Sequence, residues 1–514
     1  MCGRCWYSAG LKTEEEIREQ TSTLAAPGAP SVSETAVKLV HGSAIYGVAN
    51  FGIRGLNFFL LIPLYTRYLT PSDYGTVSLA ESIGVLLVSI TSLGIDDAMR
   101  RLYFQYKDDR EALSRYLATV LNSSAVLFAA TVLASWLFGS PVLHFVAPRF
   151  AVPFSPYVMV AIATACVAQV VQYRLILYQL EQRAKQYATL AFCVFFLTAG
   201  ACVVMVVALQ KGALGMLTGK LIASGASAIL CAFSLGRWMR YGFDWRFMKE
   251  SLRFGLPMVP YGLAALGLDV ADRFILQRYR PTAEVGLYTL AYSFGMVMYV
   301  ITLSLWQAWA PLYYAAAKAG DDSRAGLGRL TSGVIVSLVG IAVIGQLLAP
   351  HFVRLMLNPS YAAAGRVIPL LISAYLCHAL YALFQLAALQ EKKTPQVFFI
   401  TLICFATNLS MNFLFIPRFG MYGAAYATLL AFAIEAVLMY DYAQRVYFLP
   451  YNRSQIAVAL LVLFAVLAST QSGSASPMRA WPSALVGTCA FGVLLILNRK
   501  EGARLFAALL KWGS

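Results

Sequence analysis

The feature that most constrains this chain is a succession of apolar stretches, each about 20 residues long, recurring from residue 43 almost to the C-terminus. Inside hydrocarbon every backbone N–H and C=O needs an internal partner, so only α-helices and closed barrels span a bilayer. The stretches lack the alternation of a barrel strand, which selects helices. Composition agrees, with 59% hydrophobic and 12% charged residues, against roughly 45–50% and 25% in soluble domains. Spans are expected at 43–68, 74–99, 116–139, 156–181, 187–210, 212–235, 252–277, 284–310, 328–349, 365–389, 395–417, 420–443, 455–470 and 482–498. The fold class is therefore all-α: a polytopic membrane protein of about fourteen helices.

The net charge of +16 would suit a nucleic-acid binder, but its placement does not. Of the 40 lysines and arginines, 27 fall on one set of alternate loops, 10 on the other and three inside spans. That bias puts both termini in the cytoplasm and excludes nucleic acid as a partner. The polar residues 1–41 form a disordered cytoplasmic lead-in without a cleavable signal. Cys2 and Cys5 have CxxC spacing but no second pair, and the cysteines within spans read as small buried hydrophobes.

An internal repeat is visible. Asp73-Tyr-Gly75-Thr-Val-Ser78-Leu79-Ala80-Glu81-Ser82-Ile-Gly84 lies over Glu284-Val-Gly286-Leu-Tyr-Thr289-Leu290-Ala291-Tyr292-Ser293-Phe-Gly295, with five identities at an offset of 286 − 75 = 211. Gln182, Lys185, Gly212 and Gly215 match Gln390, Lys393, Gly420 and Gly423 at 420 − 212 = 208. Six helices, an even number, separate equivalent points, so the two copies run parallel and a cargo site is expected between them. The expected organisation is a cytoplasmic segment 1–41, a six-helix lobe 42–236, a cytoplasmic linker 237–251, a second six-helix lobe 252–446, and two further helices with a tail at 447–514. The lobes would form two parallel bundles around a central cavity.

Phe59-Leu-Leu-Ile-Pro63-Leu-Tyr-Thr-Arg67-Tyr-Leu-Thr-Pro71-Ser-Asp-Tyr74-Gly75 resembles the first helix pair of polysaccharide-biosynthesis (O-antigen, Wzx-type) flippases. Phe254-Gly255-Leu-Pro257-Met-Val-Pro260, Asp272-Arg273-Phe-Ile-Leu and Val285-Gly286-Leu-Tyr288 resemble the same family. These flippases belong to the multidrug/oligosaccharidyl-lipid/polysaccharide exporter superfamily, and the resemblance covers residues 40–450. It implies movement of an undecaprenyl-diphosphate-linked oligosaccharide from the cytoplasmic to the periplasmic leaflet of the bacterial inner membrane by alternating access. It also implies coupling to a proton or sodium gradient and polysaccharide polymerase and chain-length proteins as partners. A monomer is the simplest state.

A charge in mid-span costs about 2.5–3.5 kcal/mol on insertion scales, so each needs a partner or a task. Arg54 and Arg174 fall within about 6 Å of each other in depth and are read as a cationic patch for a diphosphate. The structural readings are Arg54 pairing with Glu81 and Arg174 snorkelling to the interface. Lys220 and Glu81 lie at matching depth, either paired or in contact with substrate. At the repeat offsets Arg54, Arg174 and Lys220 fall on Ala265, Ala382 and Thr428, while the second half carries Asp269, Asp272 and Glu435. Glu435 and Asp269 are the candidate ion-coupling carboxylates, and Asp272-Arg273 reads as an interfacial structural pair. Pro257 and Pro260 should bend their helix, as a hinge or a static kink. His378, Gln385, Asn408 and Asn412 are expected to hydrogen-bond between helices.

No metal-ligand spacing, nucleophile–base pair or glycine-rich phosphate loop is present, and the longest outer loops hold no acid. The expectation is therefore no enzyme, no metal and no cofactor. A multidrug exporter would want intramembrane acids without cations in the first half. A lipid II flippase shares the diphosphate cargo, and a membrane glycan polymerase or glycosyltransferase would need a larger extramembrane loop.

Overall fold

The computed structural model describes residues 47, 51–239, 242–318, 321–391 and 393–472. Cys2, Cys5, the lead-in 1–41 and the span expected at 482–498 lie outside the described residues. Among the described residues are fifteen α-helices and no strand. In chain order they are α1 (Ile62–Tyr68), α2 (Pro71–Thr91), α3 (Ile95–Tyr106), α4 (Arg110–Val146), α5 (Met159–Leu180), α6 (Ala184–Val203), α7 (Gly212–Met239) and α8 (Trp245–Gly255). Then follow α9 (Met258–Tyr279), α10 (Thr282–Lys318), α11 (Asp321–Met356), α12 (Ala364–Gln390), α13 (Thr394–Phe419), α14 (Met421–Val446) and α15 (Arg453–Ser472). Eleven helices are long and apolar enough to cross a membrane, twelve with the bent pair α8–α9. Helical residues 51–56 and a π-turn at Asn57–Leu61 lead into α1.

Helices occupy the expected spans that fall on described residues, and two of those spans are broken. The span placed at 74–99 divides into α2 and α3 at Gly94, whose φ is +68°. The span placed at 252–277 begins with α8 and bends by 45° into α9 beside Pro257. These two breaks touch. A Cβ on Gly94 would stand 2.1 Å from the Gly255 carbonyl oxygen, and one on Gly255 would stand 2.5 Å from that of Gly94. α8 is amphipathic, burying Phe247, Met248 and Ser251 against α3 and α4. Glu250 accepts hydrogen bonds from Gln105 and from Tyr106, so the helix before the bend is clasped to the first half. Burial, and then the hydrogen bond to Glu250, push the Tyr106 phenol up to about 12.

The repeat is explicit in three dimensions. Thr70 and Asp73 form a capping box that starts α2, and the Asp73 carboxylate also accepts from Ala213 N at the start of α7, at 3.4 Å. The counterpart Glu284 accepts from Met421 N at the start of α14, at 2.7 Å. Gly212 opens α7 and Gly420 precedes α14, with φ of +56° and +57°. Each half therefore ties the beginning of its second helix to the beginning of its sixth.

The halves meet along α2 and α10. A Cβ on Gly75 would lie 2.1 Å from Thr282 O, and one on Gly286 would lie 1.8 Å from Pro71 O. One turn on, Thr289 donates to Ser78 at 2.9 Å. Both pairs are repeat equivalents (286 − 75 = 289 − 78 = 211), so the pseudo-twofold axis runs between them. Tyr361, between α11 and α12, donates to Leu69 O and closes the same end. Within the second half α12 packs on α10, α11 and α14 and is mostly buried, as a helix apolar on most of its circumference requires. α4 and α6 lie at the periphery with most of their apolar surface uncovered.

Because both glycine contacts are with backbone, neither can yield. Gly286→Val should lower stability by roughly 1–3 kcal/mol, visible as a reduced thermal midpoint of the detergent-purified protein. A wild-type midpoint would contradict this packing.

Candidate functional site

Just below the Ser78–Thr289 contact a cavity of about 330 Å³ separates the halves, with those two residues as its roof. Its first-half wall carries Tyr74, Glu81, Ser82, Met216 and Lys220, and its second-half wall carries Leu266, Asp269, Val270 and Arg273. Lys220 Nζ lies 2.5 Å from Glu81 Oε1, with both side chains about a third exposed or less to the cavity. An ion pair there keeps two charges soluble in a low-dielectric wall. Facing it, Asp269 accepts from Tyr292 OH at 2.9 Å, and the Arg273 guanidinium lies over the Tyr292 ring at 4.9 Å. Arg273 Nε is buried without a hydrogen-bond partner.

A second cavity, of about 370 Å³, lies inside the second half among α9, α10, α12, α13 and α14. Its polar wall consists of Asp269, Tyr299, Tyr375, His378, Tyr381, Gln385, Thr401 and Glu435. Glu435 is 1% exposed and faces His378 Nδ1 at 3.1 Å. His378 itself is a quarter exposed and is stacked on Tyr381 and tilted against Phe432. Asp269 lines both cavities. One carboxylate is thus common to the space between the halves and the space within the second.

Sequence expectations fall into place unevenly. Lys220, Glu81 and Asp269 share the central cavity, and Glu435 joins Asp269 in the second. Glu81 pairs with Lys220 and not with Arg54. Arg54 is exposed on the helix leading into α1, at i and i+3 with Asn57 on one face, and makes no hydrogen bond or ion pair among the described residues. Arg174 is neither in these cavities nor snorkelling. It is 6% exposed on α5, with its guanidinium 4.1 Å from the Tyr178 ring, donating to Tyr178 OH while Nε and Nη1 have no partner. Asn412 donates to Asn408, which reaches Thr428 across α13 and α14.

Residues 39–317, more than half of the chain, match the family described as polysaccharide biosynthesis protein. The chain belongs to that family. A stretch of 212 residues is 24% identical to the probable flippase AglR of Haloferax volcanii, covering 40% of this chain and 41% of that relative. Among solved structures, the lipid II flippase MurJ in an inward closed conformation superposes with a TM-score of 0.63 at 14% identity, over 89% of this chain and 99% of that one. An inward-facing multidrug resistance transporter of the MATE family superposes with a TM-score of 0.54 at 14% identity, over 81% and 99%. At such identity these likenesses establish the fold alone, which this chain shares with both of those structures.

Within this family member, Arg273 is the cavity residue that sequence reasoning assigned elsewhere. The expected Asp272–Arg273 interfacial pair does not form. Asp272 is buried, accepting from Tyr288 OH at 2.5 Å and from the backbone N–H of Arg273, and the Arg273 side chain turns to the cavity. Two adjacent residues on a helix point about 100° apart. That separation argued against a side-chain pair. The Lys220–Glu81 pair makes a quantitative prediction. Glu81→Gln and Lys220→Met should each destabilise more than the double variant, with a coupling of about 1–2 kcal/mol after allowing for partial exposure. Additive thermal shifts would remove the pair as a structural unit.

Proposed function

We propose that this protein is a flippase for an undecaprenyl-diphosphate-linked oligosaccharide, moving it from the cytoplasmic to the periplasmic leaflet of the bacterial inner membrane. The observation that carries the reading is a cavity between two repeat-related halves whose walls bring Lys220 and the half-free guanidinium of Arg273 to opposite sides. A guanidinium offers a planar fork for phosphate oxygens and an ammonium a point charge, so the two can grip one diphosphate from both halves. Arg54 extends the cationic surface from the exposed helix before α1, and Arg174, outside the two cavities and held on Tyr178, is a more remote candidate whose Nε and Nη1 lack partners.

In this reading Glu81 holds Lys220 until cargo replaces it. The halves then rock about the Gly75–Gly286 contact, and the bend beside Pro257 and Pro260 lets α9 move while α8 stays clasped to the first half. Asp269 and Glu435 are the ion-coupling carboxylates. Because Asp269 faces both cavities, a cation bound beside it changes the charge that Arg273 meets, which links ion and cargo thermodynamically. A multidrug exporter fits the central walls less well, because a cationic drug would meet Arg273 and Lys220. The glycan polymerase and chain-length proteins of the same pathway are the partners this activity needs.

Two experiments test the reading. Arg273→Gln, and separately Arg54→Gln, should abolish surface polysaccharide display while protein abundance in the membrane stays at wild-type level. Normal display from both variants rules out the diphosphate site. In proteoliposomes, Glu435→Gln should flatten the pH or sodium dependence of transport. A wild-type ion response would take Glu435 out of the coupling role.

A further inference from the structure

A third cavity, of about 170 Å³, lies within the first half between α1, α6 and α7. Its walls are largely hydrocarbon, with Leu61 and Ile62 on one side and Phe195, Ala199 and Met216 on the other. Lys220, Tyr74 and Met216 line both this cavity and the central one, so the two spaces adjoin at the Lys220 ammonium. The outer wall faces lipid. In the apolar window of α6 only 11% of residues are buried, and Phe59 and Leu60 on the opposing helix are 62% and 60% exposed. π-turns occupy Asn57–Leu61 on one side and Val204–Ala208, just after α6, on the other, and the latter touches α1. Such turns widen a helix and recur at functional sites.

We propose that this cavity receives the first isoprenoid segment of the lipid carrier, with Lys220 at the junction of hydrocarbon and diphosphate. The inference rests on the flippase reading above and adds a tail site to its head-group site. An apolar chain attached to an anion fits a path that runs from bilayer, past a wall that is mostly apolar with Asn57, Tyr65, Tyr74 and Thr198 as its neutral polar groups, to a cation. A sugar, with a hydroxyl on almost every carbon, would meet too few partners in Asn57, Tyr65, Tyr74, Thr198 and Lys220 and would leave hydroxyls unpaired against Leu61, Ile62 and Phe195. The carrier therefore enters chain-first between α1 and α6, and its glycan stays in the wider central cavity. Bilayer phospholipids also join hydrocarbon to phosphate. Commitment to the isoprenoid diphosphate follows from the two cations, Lys220 and Arg273, that its second phosphate would meet.

The test uses the full chain in phosphatidylcholine nanodiscs with geranylgeranyl diphosphate carrying a diazirine on its chain. Photolabelling should map to residues 57–65 and 195–202, and unlabelled geranylgeranyl diphosphate should compete while dioleoyl phosphatidic acid does not. Ala199→Trp, which fills the cavity, should weaken labelling by about tenfold or more and leave inorganic diphosphate binding unchanged. The wild-type map needs no variant, so it stands if Ala199→Trp fails to fold. Labels confined to the second half, or equal competition by phosphatidic acid, overturn the tail site alone, provided inorganic diphosphate still binds. A protein that binds neither diphosphate overturns the flippase reading with it.

Discussion

The contact between Gly75 and Gly286 is the constraint on which the rest of the structure depends. A side chain at either position would stand within about 2 Å of the facing backbone, so the first turns of α2 and α10 approach as closely as backbone allows. That approach sets Ser78 against Thr289, and their hydrogen bond seals the roof of the central cavity. It also aligns the two acid latches, Asp73 on α7 and Glu284 on α14, on opposite sides of the axis. Without water to satisfy loose helix ends, such latches serve two purposes, because they pair orphan N–H groups and fix where each sixth helix begins.

Below that roof the halves stop being alike. Glu81 and Lys220 pair in the first half, whereas their counterparts Tyr292 and Thr428 turn to Asp269 and to Asn408. Ala265, the counterpart of Arg54, lines the inner cavity of the second half. Small residues there make room for the cavity in which Asp269, His378 and Glu435 meet. The symmetry thus holds where the halves close on each other and breaks where they hold charge.

Much of this was legible in the sequence. Apolar length gave the spans, and the offsets of 211 and 208 gave the parallel halves because latch, glycine and roof residues all serve interhelical contact. Pro257 announced the bend, since proline removes a backbone donor. The break at Gly94 has a sequence trace in the fall from an apolar run to Asp96 and Asp97, but its cause is a backbone contact with Gly255 far along the chain. Arg174 shows a related limit. Depth along a helix can be counted from residues, but rotation toward cavity, neighbour or lipid depends on packing, and here Tyr178 on the same helix claims the guanidinium. Arg273 was obscured by its proximity to the loop and by an adjacent aspartate, although a cation about one turn inside a span edge is the kind that helix rotation can aim inward.

The central cavity is close to neutral as it stands, with Glu81 and Asp269 balancing Lys220 and Arg273. In a low-dielectric surround that balance limits the cost of an empty site. On the flippase reading, a diphosphate entering it adds roughly two negative charges to walls that have none to spare. Lys220 cannot serve the cargo fully while Glu81 keeps it, and Arg273 is shared with Asp269 through Tyr292. On the same reading, neutrality returns if a cation or proton binds at Asp269, which the second cavity also borders. A separate ion cavity that touches the cargo cavity at one carboxylate is then what an anion carrier of this design requires. It lets the charge of the load be compensated from within one half while the other half holds the load.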